Sequence, residues 1–334
     1  MFMKSILTKM CLRAQCIPTI DGVVCKLFQV WFGIPYNPFY SRRPHNIDSI
    51  FQDVYKLPFP PTHYYSPLPD VAGVKDRLRR WYRESEFRGI SWDLPKQIGL
   101  LSRLGEYASE LELLPAFAEV SQQGYGPGYG EVEAQILYLM LRLFKPTQVI
   151  EVGSGVSTFF ALSALEANRK TNSSHARLTC VDPYPSDKLR ELCQRSRVEL
   201  VDSEVQDVPV SRFCQLGSND LLFIDSSHVS KKDSDVDYLF LEVLPQIAVG
   251  VLIHVHDISF PMPAIPPAHP LFDHYLFWNE DALVKAFLLF NSAFEPILCE
   301  SFLHFKAPNE LKKIVPQYDP AIHFPSSLWL QRTK

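Results

Sequence analysis

The spacing of apolar positions changes near residue 124, and the two spacings predict different structures. Upstream, from Pro35 to Pro69, prolines and aromatics crowd together, as in Phe59-Pro-Pro-Thr-His-Tyr-Tyr-Ser-Pro-Leu-Pro69. Proline fixes φ and removes a backbone donor, so this stretch reads as irregular, extended chain. Two helices follow. Asp70 caps the first, whose stripe is Val71, Val74, Leu78 and Trp81, with Arg77, Arg79, Arg80 and Arg83 on its other faces. Asp93 caps the second, with Ile98, Leu101, Leu104 and Ala108 at helical spacing.

Downstream, strand-length apolar runs alternate with helical ones. A hinge-like Gly124-Tyr-Gly-Pro-Gly-Tyr-Gly130 precedes a helix over 131–144, which Pro146 ends. Short apolar runs rich in β-branched residues predict buried strands at 148–152, 178–181, 198–201, 221–224 and 249–255. Helices are expected at 156–167, 235–244 and 282–290, and closing strands at 294–305 and 327–331. Alternating β and α units imply an α/β, doubly wound, mostly parallel sheet that binds ligands at the strands' carboxyl ends. The last two strands, joined without a strong helix, suit an antiparallel edge pair. The division expected is a helical and irregular extension over 1–120 and a ligand-binding domain over 121–334.

Composition narrows the partners. With 46% hydrophobic and 21% charged residues, the 334-residue chain buries a sizeable core. A net charge of -4 gives no basic footprint for nucleic acid. The seven cysteines are scattered without a C-x-x-C pair, which points to reduced thiols and a cytoplasmic setting. No apolar run is long enough to span a membrane. Lys4, Lys9 and Arg13, with no acid before Asp21, admit an amphipathic helix on a membrane surface, although an ordinary docked helix is the favoured reading.

The chemistry concentrates in Val149-Ile-Glu-Val-Gly-Ser-Gly-Val-Ser-Thr158: a strand, an acid, then Gly-x-Gly opening a helix. Gly153 and Gly155 permit a tight turn that a ligand approaches closely, with Ser154 between them. Glu151 is expected to engage a cofactor's amino-acid portion, and Ser157 and Thr158 to satisfy N–H groups of the helix's first turn. A dinucleotide site asks for a third glycine where Thr158 stands, which disfavours an NAD-dependent oxidoreductase. Asp182, ending the next strand in Thr179-Cys-Val-Asp-Pro-Tyr-Pro185, is placed to accept both ribose hydroxyls. Ser203, after the third strand, would lie near an adenine.

The order E-x-G-x-G, V-D-P-Y-P, Leu221-Leu-Phe-Ile-Asp-Ser-Ser-His228 and Gly250-Val-Leu-Ile-His-Val-His-Asp257 resembles class I S-adenosylmethionine (SAM)-dependent methyltransferases. It is most similar to a branch with F-I-D-S-S-H and H-x-H-D strand ends. The resemblance covers about residues 124–333 and extends to His63-Tyr-Tyr-Ser-Pro67. It implies a seven-stranded Rossmann-like sheet of order 3-2-1-4-5-7-6, with SAM across the ends of the first two strands. It does not supply the acceptor, and a homo-oligomer is compatible with it.

Family topology sets Asp225 and Asp257 at the ends of neighbouring strands, with His228 and His256 beside them. Two readings stay open. Asp225, His256 and Asp257 hold a divalent metal such as Mg²⁺, as in sugar O-methyltransferases of this fold; His256 departs from their carboxylates and is a poor Mg²⁺ ligand. Alternatively His228 or His256, with Asp257, acts as metal-free acid–base machinery. His254, deeper in its strand, reads as a hydrogen-bonded core residue. The proline- and aromatic-rich 258–278, with Tyr64, Tyr65, Tyr125 and Tyr129, is expected to cover the acceptor pocket. The function implied is O-methylation of a small hydroxylated acceptor, a sugar unit or natural product. N-methylation and a SAM-fold binding module without transfer are the alternatives.

Overall fold

The computed structural model describes residues 64–126, 128–172, 175–196 and 198–334. The basic N-terminal segment and most of the proline-rich stretch lie outside the described residues. Contacts divide the chain into two compact units, residues 1–76 and 77–334. In the first, Asp70 accepts a hydrogen bond from the Gly73 N–H (3.2 Å) and opens a helix over Val71–Asp76. The single helix expected here is two, because Arg77 leaves helical backbone angles before Leu78–Trp81.

The second unit is built on a sheet of seven strands: β1 (Gln148–Val152), β2 (Arg177–Val181), β3 (Val198–Val201), β4 (Leu221–Ile224), β5 (Leu252–Val255), β6 (Phe294–Cys299) and β7 (Leu328–Arg332). Their order is β3-β2-β1-β4-β5-β7-β6, with only β7 antiparallel to its neighbours. This is the order the resemblance implies. The main helices are α1 (Leu94–Leu104), α2 (Glu131–Phe144), α3 (Val156–Asn172), α4 (Asp187–Arg195), α5 (Glu280–Leu288) and α6 (Glu300–Lys306).

The central strands β1, β4 and β5 are mostly apolar and buried because both faces are covered. Val149, Leu178, Leu221 and Phe223 face one core with Ile136, Leu137 and Ala164 of α2 and α3. The alternate residues Ile150, Val181, Leu222 and Ile224 face a second core with Leu239, Val243 and Val284. Burying each such side chain contributes about 1.5–3 kcal/mol. Residues 94–121 join these cores: Leu101, Leu104 and Leu111 pack in the first, and the Gln97 amide oxygen accepts from Cys299 N–H of β6 (2.9 Å).

Two predicted elements differ. The strand expected over 294–305 stops at Cys299, where Glu300–Lys306 turns helical. A short stretch rich in apolar residues does not by itself distinguish strand from helix. The helix expected over 235–244 widens to a π turn over Tyr238–Val243.

The register positions the site. Val201, Val181, Val152, Ile224 and Val255 form one cross-strand row at the carboxyl ends. One residue further, ladder hydrogen bonds still hold Gly153 N–H to Val181 O, Asp225 N–H to Val152 O and His256 N–H to Ile224 O. Asp182, Gly153, Asp225 and His256 therefore stand side by side at the edge of the sheet.

Candidate active site

The turn after β1 is built on Gly153, whose φ is +75°. A Cβ there would lie 2.0 Å from the Asp225 carbonyl oxygen, so only glycine fits as β4 ends alongside. Gly155 lies beside the Tyr125 carbonyl, which a Cβ there would meet at an ordinary contact distance of 3.5 Å and which accepts from the Ser186 hydroxyl (3.1 Å). The glycine-rich segment before α2 thus passes beside this turn.

Asp182 is partly exposed at the end of β2 and accepts from the Ser154 N–H (3.0 Å) and the Tyr184 N–H (2.7 Å). Each oxygen takes one of these bonds and keeps a lone pair for a further donor. The cap of α4 is Ser186, which accepts from the Leu189 N–H (3.1 Å). After β3, Asp202 is engaged by Arg190 (2.6 Å) and the Gln206 amide donates to the Asp233 carbonyl. Ser203 is partly exposed in the same turn.

Glu151 and Ser157 require a correction. Glu151 is fully buried and faces α3, where it accepts from Ser157 (2.5 Å) and Thr158 (2.8 Å) hydroxyls. Thr158 in turn accepts from the Gly155 N–H (3.1 Å). The acid therefore braces the turn from beneath and does not present itself to a ligand, because the first turn of α3 sets two hydroxyls directly against it. Burial pushes its carboxyl up to about 8, against the hydroxyl donors that favour the charged form.

At the other end of the row, two acids and two imidazoles converge. His256 Nδ1 lies 3.2 Å from Asp225 Oδ1 and 3.5 Å from Asp257 Oδ2. His228 Nε2 lies 3.6 Å and 3.4 Å from the same two oxygens. His228 and Asp257 both adopt left-handed backbone, with φ of +59° and +54°. Such conformations persist in non-glycine residues where surrounding contacts impose them. Here the His228 carbonyl accepts from Asn279 and Glu280 N–H at the start of α5 (3.0 and 3.2 Å). Its Nδ1 lies 2.8 Å from Glu280 Oε2, which also accepts from the Ser226 hydroxyl (2.8 Å). Asp257 Oδ1 accepts from the Ser326 hydroxyl (2.8 Å), which leaves Oδ2 facing the cluster.

The rings are clamped as well: Trp278 lies against His228 (4.6 Å between centroids) and Tyr129 against His256 (4.7 Å). Burial opposes charge on His256, but the Asp257 and Asp225 carboxylates outweigh it and raise its pKa to about 10. Burial likewise opposes charge on His228, and Glu280 outweighs it to raise that pKa.

Residues 150–258 match the profile of a family described as a methyltransferase domain. These residues carry a methyltransferase domain. An uncharacterized protein of Archaeoglobus fulgidus is 29% identical over 179 residues, covering 52% of this chain and 79% of that protein. Among solved structures, the O-methyltransferase TomG of Streptomyces achromogenes, involved in tomaymycin synthesis and solved with SAM, is 13% identical. It covers 73% of this chain and 92% of its own, with a TM-score of 0.38. The S-adenosylhomocysteine-bound methyltransferase PaMTH1 of Podospora anserina is 15% identical over 80% of this chain and 98% of its own, at 0.40. At these scores the two structures lend no residue roles to this methyltransferase.

SAM fits the methyltransferase's adenosyl side: a turn whose Gly153 admits no side chain lies beside a partly exposed carboxylate with acceptor capacity left for ribose. Sequence reasoning missed Glu280, Ser326 and Glu133, whose Oε1 accepts from the Ser326 N–H (3.1 Å). All three act across long sequence separations, and only Glu280, beside a predicted helix start, left a local signal. His254 is in the core but not hydrogen-bonded: its ring stacks between Phe223 (4.2 Å) and Trp329 (4.1 Å), and neither nitrogen has a partner among the described residues. Burial lowers its pKa well below the usual range, so it stays neutral. Tyr125 is buried in packing against Phe159, while Tyr64 and Tyr65 are exposed.

Glu151 carries the first prediction. Replacing it by Ala leaves two buried hydroxyls without their acceptor and is expected to cost about 3 kcal/mol in urea unfolding. Glu151→Gln keeps an acceptor and costs less. The sign of its pH dependence follows from a folded pKa of about 8, above the roughly 4.3 of an unfolded carboxyl. Between those values the native state holds the extra proton, so wild-type stability falls as pH rises, and the Gln variant lacks that fall. A stability difference between wild type and Gln that stays flat from pH 5 to 8 would contradict this assignment.

Proposed function

We propose that this methyltransferase O-methylates a small hydroxylated acceptor of the sugar or natural-product class. The observation that carries the reading is the convergence of Asp225, His228, His256 and Asp257 within 3.2–3.6 Å beside the cofactor turn. A hydroxyl must lose its proton as it accepts a methyl group, and this notch sets two carboxylates beside two imidazoles in one place, where such a proton can be handled. When bound, SAM supplies the methyl on a sulfonium whose sulfur keeps the electron pair as the carbon–sulfur bond breaks. Asp182 accepts from the ribose, Gly153 to Gly155 with Ser154 form the floor, Ser203 borders the adenine, and Glu151 with Ser157 holds the turn. Ile224-Asp225-Ser226-Ser227 also lacks the Asn/Asp-Pro-Pro-Tyr of many amino-group methyltransferases.

Residues 258–278 shape the acceptor pocket. Phe260 of this segment is held by the Ser301 hydroxyl, which donates to its carbonyl (3.0 Å) and accepts from its N–H (2.8 Å). Phe272 stacks on Trp81 (5.8 Å), and Tyr275 and Trp278 lie edge to face beside His228 (5.8 Å between their rings). We assign transfer to residues 121–334, with 1–120 an extension. The cytoplasm is the compartment that suits the free thiols Cys180, Cys193, Cys214 and Cys299. No described helix is long and apolar enough to cross a membrane.

The test uses methyl-labelled SAM with hydroxylated acceptors, each paired with its amine analogue. Label recovered in methyl ethers supports the reading. Label confined to amines replaces it with N-methylation. Tight SAM and S-adenosylhomocysteine binding without any transfer points to a binding module.

A further inference from the structure

We infer that the acceptor is a soluble molecule carrying a phosphate group, which Arg77, Arg79, Arg80 and Arg83 hold at the rim of the acceptor pocket. The inference names the substrate class of the proposed O-methylation and rests on residues 258–278 being the pocket's cover.

The first ground is where these arginines sit. Residues 77–85 belong to the same compact unit as the sheet. Three contacts tie them along the 258–278 segment. The Ser85 N–H donates to the Pro261 carbonyl (2.9 Å), the Tyr82 hydroxyl donates to the Ile265 carbonyl (3.4 Å), and Trp81 stacks on Phe272 (5.8 Å). Phe272 opens the short helix Phe272–Tyr275, and Tyr275 meets Trp278, whose ring lies against His228. An aromatic wall therefore runs from the reaction notch to the arginine-bearing segment.

The second ground is charge. Leu78, Trp81 and Tyr82 are half-buried, whereas the four arginines are exposed, and none of the four has an ion-pair partner among the described residues. The acids that follow are already taken, Glu84 by Lys306 (2.5 Å) and Glu86 by Arg88 (2.7 Å). Four uncompensated positive charges within seven positions repel one another, in a chain whose net charge is -4. A bound anion relieves that repulsion. A guanidinium fork pairs with phosphate oxygens through two parallel N–H···O bonds. Phosphate or pyrophosphate has oxygens for several such forks, where a single carboxylate serves one.

The third ground is the polarity of the site. Asp225, Asp257 and Glu280 set three carboxylates around the imidazoles of the notch, so a phosphate is not drawn there. An acceptor with a hydroxyl at one end and a phosphate at the other is thereby oriented before it docks. Its hydroxyl faces the notch and its phosphate the arginines.

The experiment titrates the full chain calorimetrically with inorganic pyrophosphate in the presence of S-adenosylhomocysteine. One equivalent per chain is expected. The paired replacements Arg77→Gln with Arg79→Gln, and Arg80→Gln with Arg83→Gln, should each weaken binding by about tenfold or more. A charge-matched control, Arg103→Gln in α1 with Arg169→Gln in α3, alters exposed arginines elsewhere and should leave it unchanged. Urea unfolding identifies a pair that fails to fold, and the other pair then decides. Absence of pyrophosphate binding, or equal weakening in the control, overturns the site. A second arm offers methyl-labelled SAM with hydroxylated acceptors and their phosphorylated forms. Faster labelling of the phosphorylated member, lost in the arginine variants, supports the inference, and equal or slower labelling overturns it. Arginine-dependent pyrophosphate binding with no methyl ether from any acceptor defeats the O-methylation and leaves the phosphate site standing. Flotation with phosphatidylglycerol vesicles is the last arm. Capture that excess pyrophosphate fails to release would replace the soluble phosphate with a membrane surface and overturn the inference.

Discussion

Asp257→Asn is expected to lower turnover about a thousandfold while changing SAM affinity less than threefold. Asparagine is the informative replacement because residue 257 has φ of +54°. Alanine in that left-handed region costs about 1–2 kcal/mol, whereas Asn adopts it readily. The Asn side-chain oxygen can still accept from the Ser326 hydroxyl, now 2.8 Å from Oδ1. What disappears is the charge that Oδ2 turns toward His228 and His256 at 3.4 and 3.5 Å. Removing a group that handles a proton in the transition state costs about 10²–10⁴ in rate. Steady-state kinetics beside SAM calorimetry checks it: more than a tenth of wild-type turnover would remove Asp257 from the reaction.

Asp182→Ala should act on the other half of the site, weakening SAM binding at least a hundredfold. Two hydrogen bonds from ribose hydroxyls to a carboxylate are worth about 1.5–3 kcal/mol each, and about 1.4 kcal/mol is tenfold in affinity. The same carboxylate receives the Ser154 and Tyr184 N–H groups, so its loss also loosens the glycine turn. Because the residue is partly exposed, water replaces those two bonds at small cost to folding. The variant should unfold in urea near the wild-type midpoint. Unchanged SAM affinity in a folded Asp182→Ala protein would overturn the cofactor geometry.

The central strands were legible because each is a short apolar run covered on both faces, and such runs admit few alternatives once helices intervene. Asp182, Gly153, Asp225 and His256 were legible for the same reason, since a strand's last residue fixes what stands at the sheet's edge. Glu151 was misplaced because sequence shows that an acid precedes the turn but not which side of it the carboxylate takes. Ser157 and Thr158 decide that, one turn into α3. Glu280 stood beside a predicted helix start, but its partner could not be read because the contact arises only when α5 folds back 52 positions onto His228. The helix over Glu300–Lys306 was read as strand because Phe302, Leu303 and Phe305 resume the apolar and aromatic content of β6 after only Glu300 and Ser301.

The aligned strand ends behave as a ruler. At about 4.8 Å per strand, Asp182 and His256 are three graduations, or roughly 14 Å, apart, and hydrogen-bonded backbone sets that interval independently of any loop. Remodelling residues 258–278 to admit a different molecule would therefore leave the gauge between nucleoside and reaction point unaltered. Deleting or inserting one residue within β4 would instead slide Asp225 about 3.3 Å along its strand and reverse which side chains face inward.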